Sequence, residues 1–384
     1  MTTPLALALP WLLPFVALRR LARKSPNLSD LPPAAGPLVS VIIPARDEAR
    51  TIETVVRSVL STSYQRMELL VVDDRSTDAT RQLVEQLARR DVRLRLIHGE
   101  ELPPGWFGKQ WACAQGYRAA RGEVLLFTDA DTRHEPELLG RAIAALDATG
   151  ADLLTVAPRQ ATVTLWERLV MPQVLVLLGL RFHPARVNQA RRPRDVIAVG
   201  QFMMMPRASY EAVGTHAAVR GEVAEDLAMA QLVWSMGKRL HFVFAEQLIE
   251  TRMYRDLGHL IEGWSKNVYL GGRRSFPDEP LLRALVPAAL SGAMLFWLVP
   301  PAILALALVL PWPDLAPPAL AATIASAAFW GVVSIGMQIP PWCALLYPLG
   351  ALMTLYIVLR SAIRGARKVE WKGRTYDASV TGRE

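Results

Sequence analysis

Apolar residues follow different rules in different parts of this chain. From residue 38 to residue 250, short apolar runs alternate with stretches of helical spacing. Val39-Ser-Val-Ile-Ile43 predicts a strand ending at Pro44, and Thr51 to Leu60 a helix. Glu68-Leu-Leu-Val-Val72 predicts a second strand, bounded by Asp73-Asp74. Ala79 to Ala88 is helical again, and Leu94-Arg-Leu-Ile97 is a third strand. Lys109 to Arg121 suits a helix, Val124-Leu-Leu-Phe127 a fourth strand, Glu135 to Leu146 a helix and Asp152 to Val156 a fifth strand. Strands that alternate with helices imply an α/β fold, with a mainly parallel sheet covered on both faces.

Beyond residue 284 the pattern changes. From Ala284 to Leu359 the only charged residue is Asp314, and residues 284–310, 319–337 and 342–359 form apolar blocks between proline-rich breaks. A spanning helix needs roughly 20 apolar residues, and buried soluble helices seldom run this long without a charged face. Residues 284–360 are therefore expected to be transmembrane helices. Pro4 to Leu18 is a shorter apolar stretch, followed by Arg19, Arg20, Arg23 and Lys24. A cleavable signal peptide carries its charge before the apolar run, so residues 1–20 read as an N-terminal membrane anchor. Pro10 and Pro14 keep an interfacial or re-entrant segment open. The basic residues after the anchor and in the tail, 361–384, place both on the cytoplasmic side by the positive-inside rule. An inward tail needs an even number of crossings after residue 284, so either one block does not cross or the first hides a hairpin. Residues 163–182 are too short to span; they read either as an interfacial helix that guides a lipid or as a buried helix under the sheet.

The net charge of +8, in a chain that is 52% hydrophobic and 20% charged, is concentrated beside the apolar segments. It suits anionic lipid headgroups. No basic stripe is interleaved with stacking aromatics, so a nucleic-acid partner is not expected. Cys113 and Cys343 lie in different kinds of segment and read as neither a disulfide framework nor a thiolate metal site. No GxGxxG or Walker A segment is present.

The polar clusters fall at the carboxyl ends of the strands, where open α/β sheets bind ligands. They are Arg46-Asp47-Glu48, Asp73-Asp74-Arg75-Ser76 and Asp129-Ala130-Asp131. Two carboxylates separated by one small residue, as in Asp129 and Asp131, can share a hard cation such as Mg2+ or Mn2+, which also bridges diphosphate oxygens. Asp73 and Asp74 can accept from a base imide or a ribose hydroxyl, whereas Asp78 reads as a helix cap. In Pro103-Pro-Gly-Trp-Phe-Gly-Lys-Gln-Trp111, glycines allow close backbone approach and Lys109 adds charge at a helix start that favours phosphate. Glu225-Asp226 precedes an apolar helix, and a carboxylate there can take a proton from an acceptor hydroxyl. His134 and His241 read as structural histidines rather than third metal ligands.

These motifs, in this order, resemble family 2 glycosyltransferases of the GT-A fold over residues 38–274. Val41-Ile-Ile-Pro-Ala-Arg-Asp-Glu48, Val71-Val-Asp-Asp-Arg-Ser-Thr-Asp78, Gly122-Glu-Val-Leu-Leu-Phe-Thr-Asp-Ala-Asp131 and Glu225-Asp226 carry the resemblance. Gly105-Trp-Phe-Gly-Lys-Gln-Trp-Ala112, Gly263-Trp-Ser-Lys-Asn267 and Trp371-Lys-Gly-Arg374 look like the membrane-bound branch that includes carotenoid-acid and hopanoid-associated glycosyltransferases. The resemblance implies a GT-A (Rossmann-like) nucleotide-sugar domain. Pro44, Ala45, Asp47, Glu48, Asp73 and Asp74 would hold the donor, the four acidic ones at the uridine. Lys109 would sit near base or phosphate. Asp131 would be the principal metal ligand, with Asp129 near ribose and metal and Ala130 beside the donor. Asp226, with Glu225, would be catalytic, Asp226 as the general base of an inverting transfer. Trp264 and Lys266 would close over diphosphate or acceptor, and Lys372 and Arg374 would reach the diphosphate.

Processive synthases carry a Gln-x-x-Arg-Trp element after the Glu-Asp motif, where this chain has Glu262-Gly-Trp-Ser-Lys-Asn267. The expectation is a non-processive hexosyltransferase in the cell membrane, multi-pass, with its catalytic domain cytoplasmic. It would move a sugar from a nucleotide donor, UDP-linked, to a lipid acceptor such as a carotenoid, hopanoid or other isoprenoid. The alternatives are a polysaccharide synthase, a non-catalytic nucleotide-sugar-binding subunit of a membrane complex, and a transporter. A transporter would need ionisable groups inside the membrane, and Asp314 lies in a proline-rich break instead.

Overall fold

A computed structural model describes residues 3–21, 25–276, 279–310, 312–364, 369–371 and 374–376. The chain divides into two compact units, each assembled from separated stretches: residues 25–161, 184–253 and 366–384 form an α/β unit, and residues 1–24, 162–183 and 254–365 a helical one.

In the α/β unit, all five strands expected from the sequence are present. They are β1 (Val39–Ala45), β2 (Met67–Asp73), β3 (Leu94–His98), β4 (Val124–Phe127) and β6 (Leu153–Ala157), β5 being the short Thr132–His134. With β8 (Met203–Pro206) and β9 (Leu240–Phe244) they build a seven-stranded sheet in the order β3-β2-β1-β4-β8-β6-β9. Strand β1 pairs in parallel with β2, Val39 opposite Met67 through Ala45 opposite Asp73, and with β4, Val39 opposite Val124 through Ile42 opposite Phe127. The first strand runs through Pro44 to Ala45 rather than stopping at the proline. Past Ile42 it keeps only β2 as a partner, which leaves room for a residue without an N–H. Strand β8 is antiparallel to both β4 and β6, so the sheet is mainly but not wholly parallel. A second, three-stranded sheet joins β5, β10 (Ile249–Thr251) and β7 (Arg159–Gln160) in the order β5-β10-β7.

Both faces of the main sheet are covered. Val39, Val41, Ile43, Leu69, Val71 and Leu126 pack in one apolar cluster with Ile52, Val55, Val56 and Val84 of the flanking helices Ile52–Leu60 and Thr80–Ala88. Fully burying a side chain of this size contributes roughly 1.5–3 kcal/mol, which is why β2 is buried at every position and carries no alternating pattern. On the opposite face the helix Gly108–Ala119 lies against β1, with Trp111, Ala112, Cys113 and Ala114 buried.

The helical unit contains three helices long and apolar enough to cross a membrane: Pro280–Val309, Pro313–Gly336 and Pro341–Arg364. The first is one helix despite Pro287, Pro300 and Pro301 inside it, so the hairpin considered for that block is not formed. Proline at 300 has no N–H to give the carbonyl four residues earlier, that of Phe296. The indole N–H of Trp11 donates to that carbonyl at 2.9 Å, and its ring stacks on Phe296 at 5.0 Å. Around Pro10 and Pro14 the N-terminal stretch is not one long rod. It is a short 3-10 turn, Leu9–Leu12, followed by the helix Leu13–Leu21.

Residues 163–182 form the helix Leu165–Arg181. A capping box starts it: Thr164 Oγ accepts from Glu167 N at 3.3 Å, and the Glu167 carboxylate accepts from Thr164 N at 2.6 Å. This helix belongs to the helical unit. Its backbone meets the helix Tyr347–Arg364 at Gly350, where a Cβ would stand 2.5 Å from the Leu169 carbonyl oxygen; only glycine allows that approach. The helix Leu257–Arg274 joins the same unit through Glu262, which pairs with Arg360 at 3.0 Å and Arg364 at 2.7 Å.

Candidate active site

The carboxyl ends of β2, β1 and β4 lie side by side, and each carries one acidic cluster. After β1, Asp47 takes a left-handed φ of 52°; after β2, Arg75 takes one of 57°. For a non-glycine residue that conformation costs energy unless its surroundings hold it. Here the turns hold each other. Asp47 Oδ1 accepts from Thr77 N at 2.6 Å, and Asp47 N donates to Ser76 Oγ at 3.0 Å. Arg46 donates to the carbonyls of Asp74, at 2.6 Å, and Arg75, at 3.1 Å. Asp73 is fully buried, ion-paired to Arg81 at 3.0 Å, and accepts from Ser76 N at 3.3 Å. Asp47 and Asp73 therefore spend carboxylate lone pairs on shaping the turns, and Asp74 is buried beside them. Asp78 accepts from the N–H groups of Ala49, in the turn after β1, and Thr80, while Ala79 holds the N-cap position of the helix Thr80–Ala88.

After β4, Asp129, Ala130 and Asp131 enter a turn in which the Ala130 side chain is buried. The Ala130 methyl belongs to the core, so only its backbone can meet a donor. Thr132 Oγ donates to the Asp129 carbonyl at 2.8 Å, and Thr128 Oγ to the Gln201 carbonyl at 2.7 Å. Asp131 Oδ1 accepts from Thr251 Oγ at 3.2 Å. His134 Nε2 lies 3.1 Å from Thr128 Oγ, and burial pushes its pKa down to about 3, so it is a neutral structural side chain.

Lys109 joins these aspartates to the Glu225-Asp226 pair. The loop before Lys109 is tied to the segment before Glu225: Phe107 N donates to the Arg220 carbonyl at 2.9 Å, and Gln110 Nε2 to the Glu222 carbonyl at 2.5 Å. Lys109 Nζ lies 2.7 Å from Asp129 Oδ1 and 2.7 Å from Glu225 Oε1. Asp226, on the first turn of the helix Glu225–Ser235, has both oxygens engaged: Oδ2 by Gly200 N at 3.0 Å and Oδ1 by Leu227 N at 2.7 Å. Gly200 is small for a reason. A Cβ there would stand 3.0 Å from Lys109 Nζ and 3.3 Å from Asp226 Oδ2.

The electrostatics are uneven. Desolvation, reinforced by Asp129 and Glu48, pushes the Asp131 carboxyl up to about 7. Desolvation and the Glu225 charge push Asp226 up to about 6, against Lys109. For Asp129 desolvation outweighs Lys109 and raises the carboxyl; for Glu225 desolvation also raises it, but Lys109, a backbone hydrogen bond and His216 together bring it below the usual range. Burial opposes the Lys109 charge, but Asp129 and Glu225 together hold its pKa well above that of a free lysine. A raised aspartate among other carboxylates marks a place short of positive charge. Asp131 and Asp129 thus fit a hard divalent cation whose remaining positions come from water and phosphate oxygens. Among the described residues no group of three or more His, Cys, Asp or Glu side chains has metal-holding geometry.

The structure brings Glu48, Lys109, Asp129, Asp131, Glu225 and Asp226 into one electrostatically coupled cluster. Pro44 and Ala45 end β1, with the Ala45 carbonyl accepting from Asp74 N at 2.7 Å. Trp264 and Lys266 are not in the α/β unit. Trp264 is buried in the helical unit, its indole N–H donating to Met171 Sδ at 3.3 Å. Lys372 lies outside the described residues, and Arg374 lies in a small hairpin of Val369–Trp371 with Arg374–Tyr376. Sequence reasoning missed Gly200 and Thr251, which no motif announces.

Residues 40–214 match the model of glycosyl transferase family 2. The 4,4'-diaponeurosporenoate glycosyltransferase of Staphylococcus haemolyticus is 23% identical over 250 residues, 64% of either chain. The glycosyltransferase AglD of Haloferax volcanii is 36% identical over 117 residues, 28% of this chain and 18% of that one. The match thus covers less than two thirds of either relative's length. Among solved structures, a mannosyltransferase of Pyrobaculum calidifontis in complex with GDP-Man and Mn2+ superposes with a TM-score of 0.59 at 21% identity, covering 94% of this chain and 97% of that one. The chain carries a family 2 glycosyltransferase domain on a GT-A fold.

Proposed function

We propose that this family 2 domain makes the chain an inverting, metal-dependent, non-processive glycosyltransferase that moves one sugar from a nucleotide donor to a membrane lipid. The observation that carries the reading is the Asp129–Lys109–Glu225 bridge, which sets the aspartates at the end of β4 beside Asp226. Asp131 and Asp129 are the side chains suited to hold Mg2+ or Mn2+, which when bound would neutralise charge on the departing diphosphate. The turns at Asp47, Glu48, Asp73 and Asp74 form the nucleoside end of the site. Asp226 takes the proton from the acceptor oxygen as that oxygen bonds to the anomeric carbon and the bond to the diphosphate breaks on the opposite side. Two backbone N–H groups fix both Asp226 oxygens, so its orientation is set before the acceptor arrives.

The acceptor reading rests on the three long apolar helices and on a relative named for a carotenoid acid. A lipid hydroxyl or carboxyl of the carotenoid, hopanoid or isoprenoid class fits both. The basic residues Arg360 and Arg364 at the end of the last apolar helix support a cytoplasmic side for that end; with a cytoplasmic catalytic domain this requires that one of the three apolar helices does not cross. A UDP-linked donor follows from the family resemblance; the structural relative with GDP-Man makes a guanosine donor the comparison to run beside it. The test is release of nucleoside diphosphate by purified full-length protein given a panel of UDP- and GDP-sugars, a membrane lipid extract and Mn2+ or Mg2+. Metal-dependent release with lipid is expected, and no turnover with any donor would overturn the proposal.

A further inference from the structure

We infer that Lys109 is the resident counter-cation of the metal site: its ammonium occupies Asp129 while the site is without nucleotide, Glu225 holds it there, and metal binding is thereby made conditional on the nucleotide. This rests on the proposed function for the metal and the donor, but it assigns Glu225 a positioning role rather than that of a base.

The geometry supports the exchange from several sides. Asp129 and Glu225 each reach the same ammonium at 2.7 Å, and no other charged partner of either is found among the described residues. A hard divalent ion on Asp129 would need a carboxylate oxygen at about 2.0–2.1 Å, as for Mg2+, on the carboxylate whose Oδ1 Lys109 now holds. Two cations cannot share that carboxylate closely in a desolvated pocket without strong repulsion. Lys109 must therefore leave Asp129 for the ion to settle, and Glu225 gives it a place to stay. The protein alone offers the ion two aspartates and no third side-chain ligand among the described residues. Diphosphate oxygens complete the coordination shell and add the negative charge that tips the exchange.

The displaced ammonium is not lost to solvent. Tethered by Glu225, and with Gly200 leaving the space beside it open, it remains next to Asp226 where diphosphate charge develops. One lysine thus excludes the bare ion from the empty site and then serves the leaving group.

The test is Mn2+ binding to full-length protein in detergent, read by loss of the free-ion paramagnetic signal, with and without UDP or GDP. Wild type is expected to bind Mn2+ weakly alone and tightly with one of the nucleotides. Lys109→Met removes the competitor, so nucleotide-free Mn2+ affinity rises about tenfold. Glu225→Gln leaves the ammonium to Asp129 alone, so nucleotide-free affinity falls. Lys109→Arg keeps the charge and stays near wild type. Opposite shifts in the first two variants cannot come from misfolding, which weakens both. Unchanged or weaker Mn2+ binding in Lys109→Met, with nucleotide-dependent binding intact in wild type, overturns this inference alone. Absence of Mn2+ uptake with every nucleotide sinks the metal-dependent function and the inference together.

Discussion

The backbone N–H of Gly200 donates to Asp226 Oδ2 at 3.0 Å, so a loop residue far from the Glu225-Asp226 motif aims the carboxylate proposed as the base. The same residue leaves space for Lys109 Nζ. Gly200→Ala should therefore displace both groups. Misplacing a reacting group by about 1 Å can cost about 100-fold in rate. The expected result is a kcat lowered by at least tenfold, with a thermal midpoint close to wild type because the core is untouched.

Asp226 should set the acid limb of the pH profile. Its carboxyl is pushed up to about 6 by desolvation and Glu225, and only the ionised form accepts a proton. Transfer should fall about tenfold per pH unit below pH ~6 and level off above it. Asp226→Asn should reduce transfer by about 100-fold or more while UDP or GDP binding stays within a few-fold. Comparable loss of nucleotide binding would move Asp226 into the donor pocket.

A different pH signature belongs to Asp131. Its folded-state carboxyl titrates near 7, against 3.8 for an ordinary aspartate. The metal-free folded protein therefore holds a proton that the unfolded chain has released. Stability from this group falls as pH rises from about 4 to about 7 and is then constant. A divalent ion takes the place of that proton. Adding Mn2+ with nucleotide should raise the thermal midpoint more at pH ~8 than at pH ~5.5, and Asp131→Asn should remove that difference.

In the helical unit, Trp11→Phe keeps a ring on Phe296 and removes the N–H given to its carbonyl. A lost hydrogen bond of this kind costs about 1 kcal/mol. The thermal midpoint in detergent should drop by a few degrees. An unchanged midpoint would show that the carbonyl left free by Pro300 finds another donor.

Much of this was visible in the sequence. Asp129, Asp131, Lys109, Glu225 and Asp226 stood out because they follow an apolar strand or open a helix, where ligands of an open α/β sheet gather. Strand β8 did not, because Met203 to Pro206 is short and uniformly apolar and gives no period to read. Thr251 reaches Asp131 from 120 positions away, and a threonine in a short strand has no motif. The helix Leu165–Arg181 had a pattern that fitted either an interfacial helix or a buried one under the sheet; its close approach to Gly350 comes from another part of the chain, which no local pattern announces. Trp264 and Lys266 were assigned to diphosphate or acceptor by family resemblance alone, and no local pattern announces the bond from the Trp264 indole N–H to Met171 Sδ.

The interleaving of the two units governs how the protein can be made. Trp11 finds its partner 285 positions later, after the whole sheet and the first part of an apolar helix have left the ribosome. The nascent sheet unit must fold around a gap at 162–183 whose occupants wait for helices not yet synthesised. No single cleavage point separates the α/β unit from the unit that carries the three long apolar helices; an expression strategy needs a spliced chain, or both units together.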